Sequence, residues 1–268
     1  MDDPLSGFLH FDFDDGHYQH PVYFKGEGPR VIVMHELPGL APATFGFAER
    51  LVEAGFNVHL PLLFGEVLDD SAPLNYARLC VSKEFARLKS GVSAPVCDWL
   101  RALARHLGEA GDQRRIGVIG MCVTGAFVIP MIIESTVGVG VVSQPAVPFS
   151  LPYRLTGLAE GAWMEEMNIA DADLNTAVNV VQAQDKRLIV QRFSDDRLCP
   201  HARVRRIAQA FGANAQLNEY PTVPPSPDHP HALMTAEFDR VEEPPERPGH
   251  PTRQALQSVV EFLRGHLV

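Results

Sequence analysis

The feature that most constrains this sequence is a strand that turns directly into a helix at a cysteine. Residues 115–121 have the composition of a buried strand, and Ala126–Ile133 is typical of an apolar helix. Only four residues separate the two segments, so there is no room for a loop. Gly120 and Gly125 flank this point and supply the small residues that a sharp turn requires. The pattern therefore predicts a tight turn at Cys122, with this residue at the N-terminus of a helix.

A cysteine in that position is a candidate nucleophile. The unpaired backbone N–H groups of a first helical turn, together with the positive end of the helix dipole, favour a thiolate. The alternative is a buried structural cysteine in an ordinary strand–turn–helix unit, because cysteine is also a common core residue.

Composition excludes several classes of protein. The 268 residues are 46% hydrophobic and 21% charged, as expected for one globular α/β domain spanning residues 1–268. The net charge of −10, without any compensating Lys/Arg run, argues against nucleic-acid binding. No apolar stretch approaches a membrane span, and the N-terminus lacks the features of a signal peptide. The four cysteines are scattered without metal-ligand spacing, so we expect a reducing, cytoplasmic location and no metal. Nothing in the sequence indicates the oligomeric state.

Strands and helices alternate along the chain, which predicts a mostly parallel sheet with helices on both faces. The predicted strands are Phe8–Phe13, His20–Lys25, Arg30–His35, Phe56–Leu60, residues 115–121, Val137–Ser143, Arg187–Phe193 and Ala215–Tyr220. The predicted helices are Thr44–Ala54, Leu74–Leu88, Ala94–Leu107, Ala126–Ile133, Leu174–Ala183, Pro200–Phe211 and Thr252–Leu267. Residues 149–171 are interpreted as a lid or cap insertion, and residues 236–251 as a Pro-rich loop.

Reactive side chains follow four of the predicted strands. They are Glu36, Cys122, the pair Asp195/Asp196, and the pair His229/His231. Functional groups of such a sheet gather beyond the carboxyl ends of the strands, so these side chains are expected to converge. The chain order of nucleophile, acid and histidine is that of α/β-hydrolases.

These residues suit covalent catalysis by a thiol. An imidazole can take the thiol proton, and a carboxylate on the far ring nitrogen fixes the tautomer. Either aspartate could instead cap the helix that Pro200 opens. Backbone N–H groups of Val123 and Leu37 are placed to bind an oxyanion. Glu36 is either a solvated loop acid or a carboxylate that faces the thiol and holds its proton.

Four short motifs resemble the dienelactone hydrolase family of α/β-hydrolases, from about Arg30 to the C-terminal helix. They are Val31–Gly39 (VIVMHELPG), Gly120–Gly125 (GMCVTG), Asp196–Pro200 (DRLCP) and His231–Leu233 (HAL). The resemblance selects Asp196 and His231 over their neighbours. It implies a Cys122/His231/Asp196 triad that hydrolyses lactones or esters without a cofactor. It also implies that Glu36 interacts with Cys122 before substrate binds.

The sequence departs from the family pattern at positions that bear on the substrate. Thr124 replaces the second glycine of the elbow. Thr235 stands where the best-known members carry an arginine that meets the substrate carboxylate. The candidate cations to replace that arginine are Arg78, Arg87 and Arg154.

Two further hypotheses compete with a cysteine hydrolase. The first is a thiol sensor or binding protein without turnover, in which Cys199 pairs with Cys122 on oxidation. The second is a serine esterase, but Ser143 and Ser194 stand at strand ends without the glycine frame.

Overall fold

The computed structural model describes residues 3–69, 71, 85, 93–110, 115–147, 160–242 and 249–268. In this part of the chain the backbone forms one eight-stranded sheet. The strands are β1 (Leu9–Asp14), β2 (Gln19–Lys25), β3 (Arg30–Met34), β4 (Asn57–Pro61), β5 (Ile116–Met121), β6 (Val137–Ser143), β7 (Arg187–Phe193) and β8 (Ala215–Tyr220).

The strand order is β1-β2-β4-β3-β5-β6-β7-β8. β1 pairs with β2, and β2 with β4, in antiparallel fashion, and every later pairing is parallel. The predicted fold class, a mostly parallel sheet with helices, is therefore confirmed. The parallel arrangement brings the carboxyl ends of β3, β5, β6, β7 and β8 to one edge of the sheet.

The described helices are α1 (Pro42–Glu53), α2 (Val96–Glu109), α3 (Val128–Met131), α4 (Glu160–Glu165), α5 (Asp171–Ala183), α6 (His201–Phe211), α7 (Ala236–Glu242) and α8 (Pro251–Leu267). Two 3₁₀ turns, Cys122–Phe127 and Gly212–Asn214, complete the regular structure.

The core lies on both faces of the sheet because successive strand residues point to opposite sides. Val118 of β5 packs in one apolar cluster with Trp99 and other residues of α2. Its neighbour Ile119 packs in a second cluster with Phe45 of α1 and Val259 of α8. The central strands are accordingly apolar on both faces, as expected for parallel strands covered by helices.

Two predictions of local structure are corrected. The helix predicted for Ala126–Ile133 is a 3₁₀ turn through Phe127 followed by the four-residue helix α3. The predicted loop 236–251 begins as helix α7, because the segment before the prolines at 244 and 245 consists mostly of residues that a helix accommodates and has two acids in its first turn. The helix predicted for Leu74–Leu88, apart from Phe85, and residues 149–159 of the predicted lid lie outside the described residues.

Candidate active site

The turn between β5 and the following 3₁₀ helix holds Cys122 in a strained conformation. Its φ angle is +53°, a region that residues other than glycine rarely adopt. The two flanking glycines allow this turn by close packing. A Cβ atom on Gly120 would lie 2.3 Å from the carbonyl oxygen of Thr124, and one on Gly125 would lie 2.8 Å from Cα of Pro145. The glycine frame is therefore a steric requirement of the turn that presents the cysteine.

Thr124 stands where the family pattern has a second glycine in the turn, and its side chain is accommodated by hydrogen bonds to the surrounding backbone. Its hydroxyl is fully buried and accepts a hydrogen bond from Met121 N at 3.1 Å. The same hydroxyl lies 3.2 Å and 3.1 Å from the carbonyl oxygens of Met34 and His35, to which it can donate. It thereby ties the cysteine turn to the end of β3, from which the predicted oxyanion loop starts.

Asp196 and His231 come from different parts of the chain and form a hydrogen-bonded pair. His231 Nδ1 donates to Asp196 Oδ2 at 2.7 Å. The other oxygen, Oδ1, accepts from the backbone N–H groups of Leu198 (2.8 Å) and Cys199 (3.1 Å). The carboxylate side chain is only 1% exposed. Asp196 is thus fixed by its own loop, and it holds the imidazole with the proton on Nδ1.

The electrostatic environment favours the protonated form of His231. Burial lowers its pKa, but the negative charge of a Cys122 thiolate and the hydrogen bond to Asp196 outweigh burial and raise the pKa well above its ordinary value. Nε2 is buried and makes no hydrogen bond of standard geometry within the described part of the chain. That nitrogen therefore has unused hydrogen-bonding capacity within the described part of the chain.

Arg192 of β7 hydrogen-bonds to the backbone of the loop that carries Asp196. The Arg192 guanidinium donates to the carbonyl oxygens of Cys199 (2.7 Å), Ser194 (2.9 Å) and Asp196 (3.0 Å). An ion pair with Glu219 of β8 balances its charge. These hydrogen bonds fix the backbone of the loop that carries Asp196.

The alternative candidates occupy different environments. Asp195 and His229 are both exposed, and His229 Nδ1 lies 3.1 Å from the carbonyl oxygen of Asp195 rather than from a carboxylate. Ser143 is fully buried and donates to the side chain of Gln144, and Ser194 is exposed. Neither serine has the positive φ angle that Cys122 has.

Glu36 lies buried at the end of β3, with 5% of its surface exposed. Its carboxylate accepts hydrogen bonds from the hydroxyl of Thr235 and from Gln144 Nε2, the latter at 3.3 Å. Within the described residues, Cys122 makes no hydrogen bond to it. The structure thus places Thr235, at the position of the family's arginine, against Glu36.

Burial is the main influence on Glu36 and raises its pKa. The hydrogen bond from Thr235 and the positive charge of His231 oppose this effect without cancelling it. Neither partner that donates to the carboxylate is a cation, so its negative charge is poorly compensated. Glu36 consequently holds a proton more readily than an exposed glutamate does.

The two proposed oxyanion donors begin separate loops beside the cysteine. Val123 is the second residue of the 3₁₀ turn, where backbone N–H groups lack partners within the helix. Leu37 follows Glu36, and its N–H has no hydrogen-bond acceptor within the described part of the chain. Both N–H groups are thus available to a ligand at this edge of the sheet.

His35 supports the loop that carries Leu37. Its Nε2 accepts from Leu63 N at 3.0 Å, which leaves Nδ1 to donate to the carbonyl oxygen of Glu36 at 3.2 Å. Burial lowers its pKa to about 4, so the ring is neutral at physiological pH. His35 therefore fixes backbone rather than exchanging protons.

Sequence reasoning missed several polar residues that surround the site. Gln144 adopts a φ angle of +32° directly after β6 and contacts Glu36. Gln191 and Arg192 are buried in β7, and Arg203 is buried in α6. The adjacent pair Gln191-Arg192, directly after the apolar run Leu188–Val190, was a usable signal, because buried polar side chains need specific partners. Nothing in the sequence distinguished Arg203 from the other arginines of its helix.

The described residues contain no group of three or more His, Cys, Asp or Glu side chains that could hold a metal ion. None of the described helices is both long and apolar enough to cross a membrane.

The sequence identifies the protein family to which the chain belongs. The sequence pattern of the dienelactone hydrolase family matches residues 19–223. The chain belongs to the dienelactone hydrolase family. It is accordingly a hydrolase, and the resemblance inferred from four motifs is confirmed at the level of the family. A comparison with curated protein sequences found no match.

Solved structures with the same fold include members of several hydrolase groups. A Klebsiella pneumoniae protein assigned as a dienelactone hydrolase superposes with a TM-score of 0.60 at 15% identity, covering 96% of this chain and 97% of that one. The Pyrococcus furiosus esterase Pf2001 gives a TM-score of 0.60 at 16% identity, with coverages of 97% and 94%. An acylaminoacyl peptidase of Pyrococcus horikoshii gives 0.54 at 13% identity, with 97% of this chain covering 42% of the peptidase. At these identities the likeness shows a shared α/β-hydrolase fold.

Proposed function

We propose that this protein is a cysteine-dependent hydrolase of a lactone or carboxylic ester that acts through an acyl-thioester. The observation that carries the proposal is the arrangement of Cys122 at a positive-φ turn together with a hydrogen-bonded His231–Asp196 pair, in which the carboxylate is buried and the imidazole half-buried. The raised pKa of His231, which depends on the charge of Cys122, supports an interaction between the two side chains. A thiol, a base and an orienting acid are the three parts that nucleophilic catalysis requires.

The first half of the reaction forms the thioester. His231 Nε2 takes the thiol proton, and Cys122 Sγ attacks the carbonyl carbon of the substrate. The backbone N–H groups of Leu37 and Val123 stabilise the oxyanion of the tetrahedral intermediate. The carbon–oxygen bond of the ester then breaks, and His231 gives its proton to the departing oxygen. In a lactone this oxygen remains attached to the acyl group through the rest of the ring.

The second half regenerates the enzyme. His231 Nε2 takes a proton from water, the resulting hydroxide attacks the thioester, and a second oxyanion forms in the same place. Collapse of this intermediate releases a carboxylic acid and returns the proton to Cys122. Asp196 stabilises the imidazolium in both halves by accepting from Nδ1.

Glu36 is proposed to hold the thiol proton before substrate binds. Its raised pKa suits a group that takes up a proton readily. Thr235 and Gln144 occupy one acceptor site on each carboxylate oxygen, so each oxygen retains a lone pair that can accept from the thiol of Cys122. Thr235 has its hydroxyl engaged by Glu36, so it offers a substrate carboxylate neither a charge nor a free donor. We therefore expect neutral esters and lactones to be better substrates than acidic ones.

The proposal is tested by replacing the nucleophile. Cys122→Ala is expected to abolish cleavage of p-nitrophenyl acetate and of a small enol lactone, because no other described side chain occupies the strained turn. Cys97→Ala is the matched control, since Cys97 is a buried free cysteine of α2, and it should retain activity. Unchanged ester turnover in Cys122→Ala would remove Cys122 as the nucleophile.

A further inference from the structure

Arg203 is a fully buried arginine whose hydrogen-bond acceptors, among the described residues, are all backbone carbonyl groups. Nη1 donates to the carbonyl oxygens of Pro145 at 3.0 Å and Leu198 at 2.9 Å. Nη2 donates to that of Trp163 at 2.8 Å, and Nε donates to that of Glu166. All three nitrogens are thus used, and the four acceptors lie on three separate segments of the chain.

The charge of Arg203 is buried without a direct counter-ion. Within the described part of the chain its guanidinium hydrogen-bonds to neutral carbonyl groups rather than to a carboxylate, and the Trp163 ring centroid lies 5.2 Å from Cζ. Burying a charge in this way is costly, and it is tolerated only when every donor is satisfied. An apolar side chain would fill the same space with a lower desolvation penalty. The four hydrogen bonds are therefore what Arg203 provides that an apolar side chain could not.

Two of the segments that Arg203 holds are bonded directly to the proposed catalytic residues. The residue after Pro145 is Ala146, whose N–H donates to the carbonyl oxygen of Cys122 at 2.9 Å. Leu198 donates its own N–H to the carboxylate of Asp196 at 2.8 Å. A single guanidinium therefore joins the segment attached to the nucleophile to the loop that presents the acid.

Arg203 is also within electrostatic range of the site. Burial lowers its pKa, and negative charges at neighbouring groups, including Asp196 and Cys122, counteract the effect. A guanidinium remains protonated at neutral pH in any case. Its charge therefore attracts a thiolate at Cys122 as well as fixing the backbone around it.

We infer that Arg203 is a positioning residue that sets the distance between Cys122 and the Asp196–His231 pair. Its guanidinium binds the segment next to Cys122, the loop that carries Asp196 and the 163–166 segment at the same time. The inference rests on the proposed function, because it assigns the alignment of that triad to a residue outside it. Arg192 differs from Arg203 in this respect, since it holds the acid loop alone.

The test compares Arg203→Met and Arg203→Lys with Arg206→Met. Arg206 is the matched control: it lies on the same helix and donates to the carbonyl oxygen of Glu165, but it is partly exposed and pairs with Asp171. Each variant is checked for cooperative thermal unfolding. The kinetic constants are then measured with p-nitrophenyl acetate. The rate of Cys122 alkylation by iodoacetamide at pH 7 is measured by peptide mass spectrometry.

Arg203→Met is expected to lower kcat by about 100-fold with KM changed less than about threefold, because misalignment of reacting groups affects turnover more than binding. Arg203→Lys should lose about tenfold, since an ammonium keeps the charge but cannot serve all four carbonyl groups. Alkylation of Cys122 should slow in the same order, and Arg206→Met should stay within about twofold of wild type in both assays.

Several results would overturn the inference. They are a folded Arg203→Met variant with kcat and alkylation rate equal to those of Arg206→Met, an effect confined to KM, or loss of the folded state in both Arg203 variants. The last result would make Arg203 a folding residue. If the wild-type protein cleaves no ester, the proposed function fails separately. The alkylation rates then decide whether Arg203 positions Cys122.

Discussion

Replacing Asp196 with asparagine tests the proposed triad with little change in shape. Asp196 Oδ1 accepts two backbone N–H groups, from Leu198 and Cys199. The oxygen of the asparagine amide must therefore stay in that position, which turns its NH₂ group towards His231 Nδ1. Because an NH₂ group can only donate, the imidazole is forced to carry its proton on Nε2. A ring in that tautomer cannot take the proton of Cys122.

The size of the effect follows from the loss of the base. An equivalent change of tautomer in a serine protease triad costs about 10⁴ in kcat. A thiol is partly ionised without help, so we expect Asp196→Asn to lose about 10³-fold in kcat/KM. That loss corresponds to about 4 kcal/mol of transition-state stabilisation. The two backbone hydrogen bonds remain, so cooperative unfolding should persist.

The assay is the initial rate of p-nitrophenyl acetate cleavage across substrate concentrations, with Asp195→Asn as the control. Asp195 is the exposed neighbour of the acid, and its replacement should change kcat/KM less than about twofold. A folded Asp196→Asn protein that retains more than a tenth of wild-type kcat/KM would refute the tautomer argument.

Three further predictions concern the support of the site. Thr124→Val should lower the free energy of unfolding by about 1–3 kcal/mol, because Met121 N loses its buried acceptor, whereas Thr124→Ser should restore most of it; chemical denaturation measures both. Gly125→Ala should destabilise by about 1–3 kcal/mol, since the added Cβ would lie 2.8 Å from Pro145, and a stability equal to wild type would contradict the packing argument. Glu36 has a raised pKa in the folded protein, so the native state binds its proton more tightly than the unfolded chain and loses stability as pH rises above the ordinary glutamate value. Glu36→Gln should therefore gain stability relative to wild type between pH 4 and pH 7 in denaturation curves, and a constant difference would refute the shift.

Most strands were predictable because a strand buried between layers of helices must consist mainly of apolar residues. β6, β7 and β8 begin and end at the predicted residues. β6 and β7 contain β-branched or apolar runs, whereas the more polar β8 is marked by the proline that follows it at position 221. The helix after Cys122 was predicted too long, because apolar periodicity does not distinguish a 3₁₀ turn from an α-helix. The 3₁₀ turn also brings Gly125 close to the chain after β6, a tertiary contact that the sequence pattern does not contain.

The candidate site was only partly predictable. The glycine frame marked Cys122, and strand-end positions marked Asp196 and His231 together with their neighbours. The choice among neighbours came from the family resemblance, and the hydrogen bond between His231 and Asp196 agrees with that choice without testing it chemically. Gln144 and Arg203 could not be found from sequence, because their roles depend on carbonyl and carboxylate partners that only the folded chain brings to them.

The central claim is that Cys122 carries the acyl group during turnover. The most direct measurement is acid quenching of the protein during steady-state cleavage of p-nitrophenyl acetate, followed by peptide mass spectrometry. We expect an acetyl group on the peptide containing Cys122, removable by neutral hydroxylamine as a thioester is, and no acetyl group there in Cys122→Ala. Steady turnover with the acetyl group on another residue, such as a serine, would contradict the account.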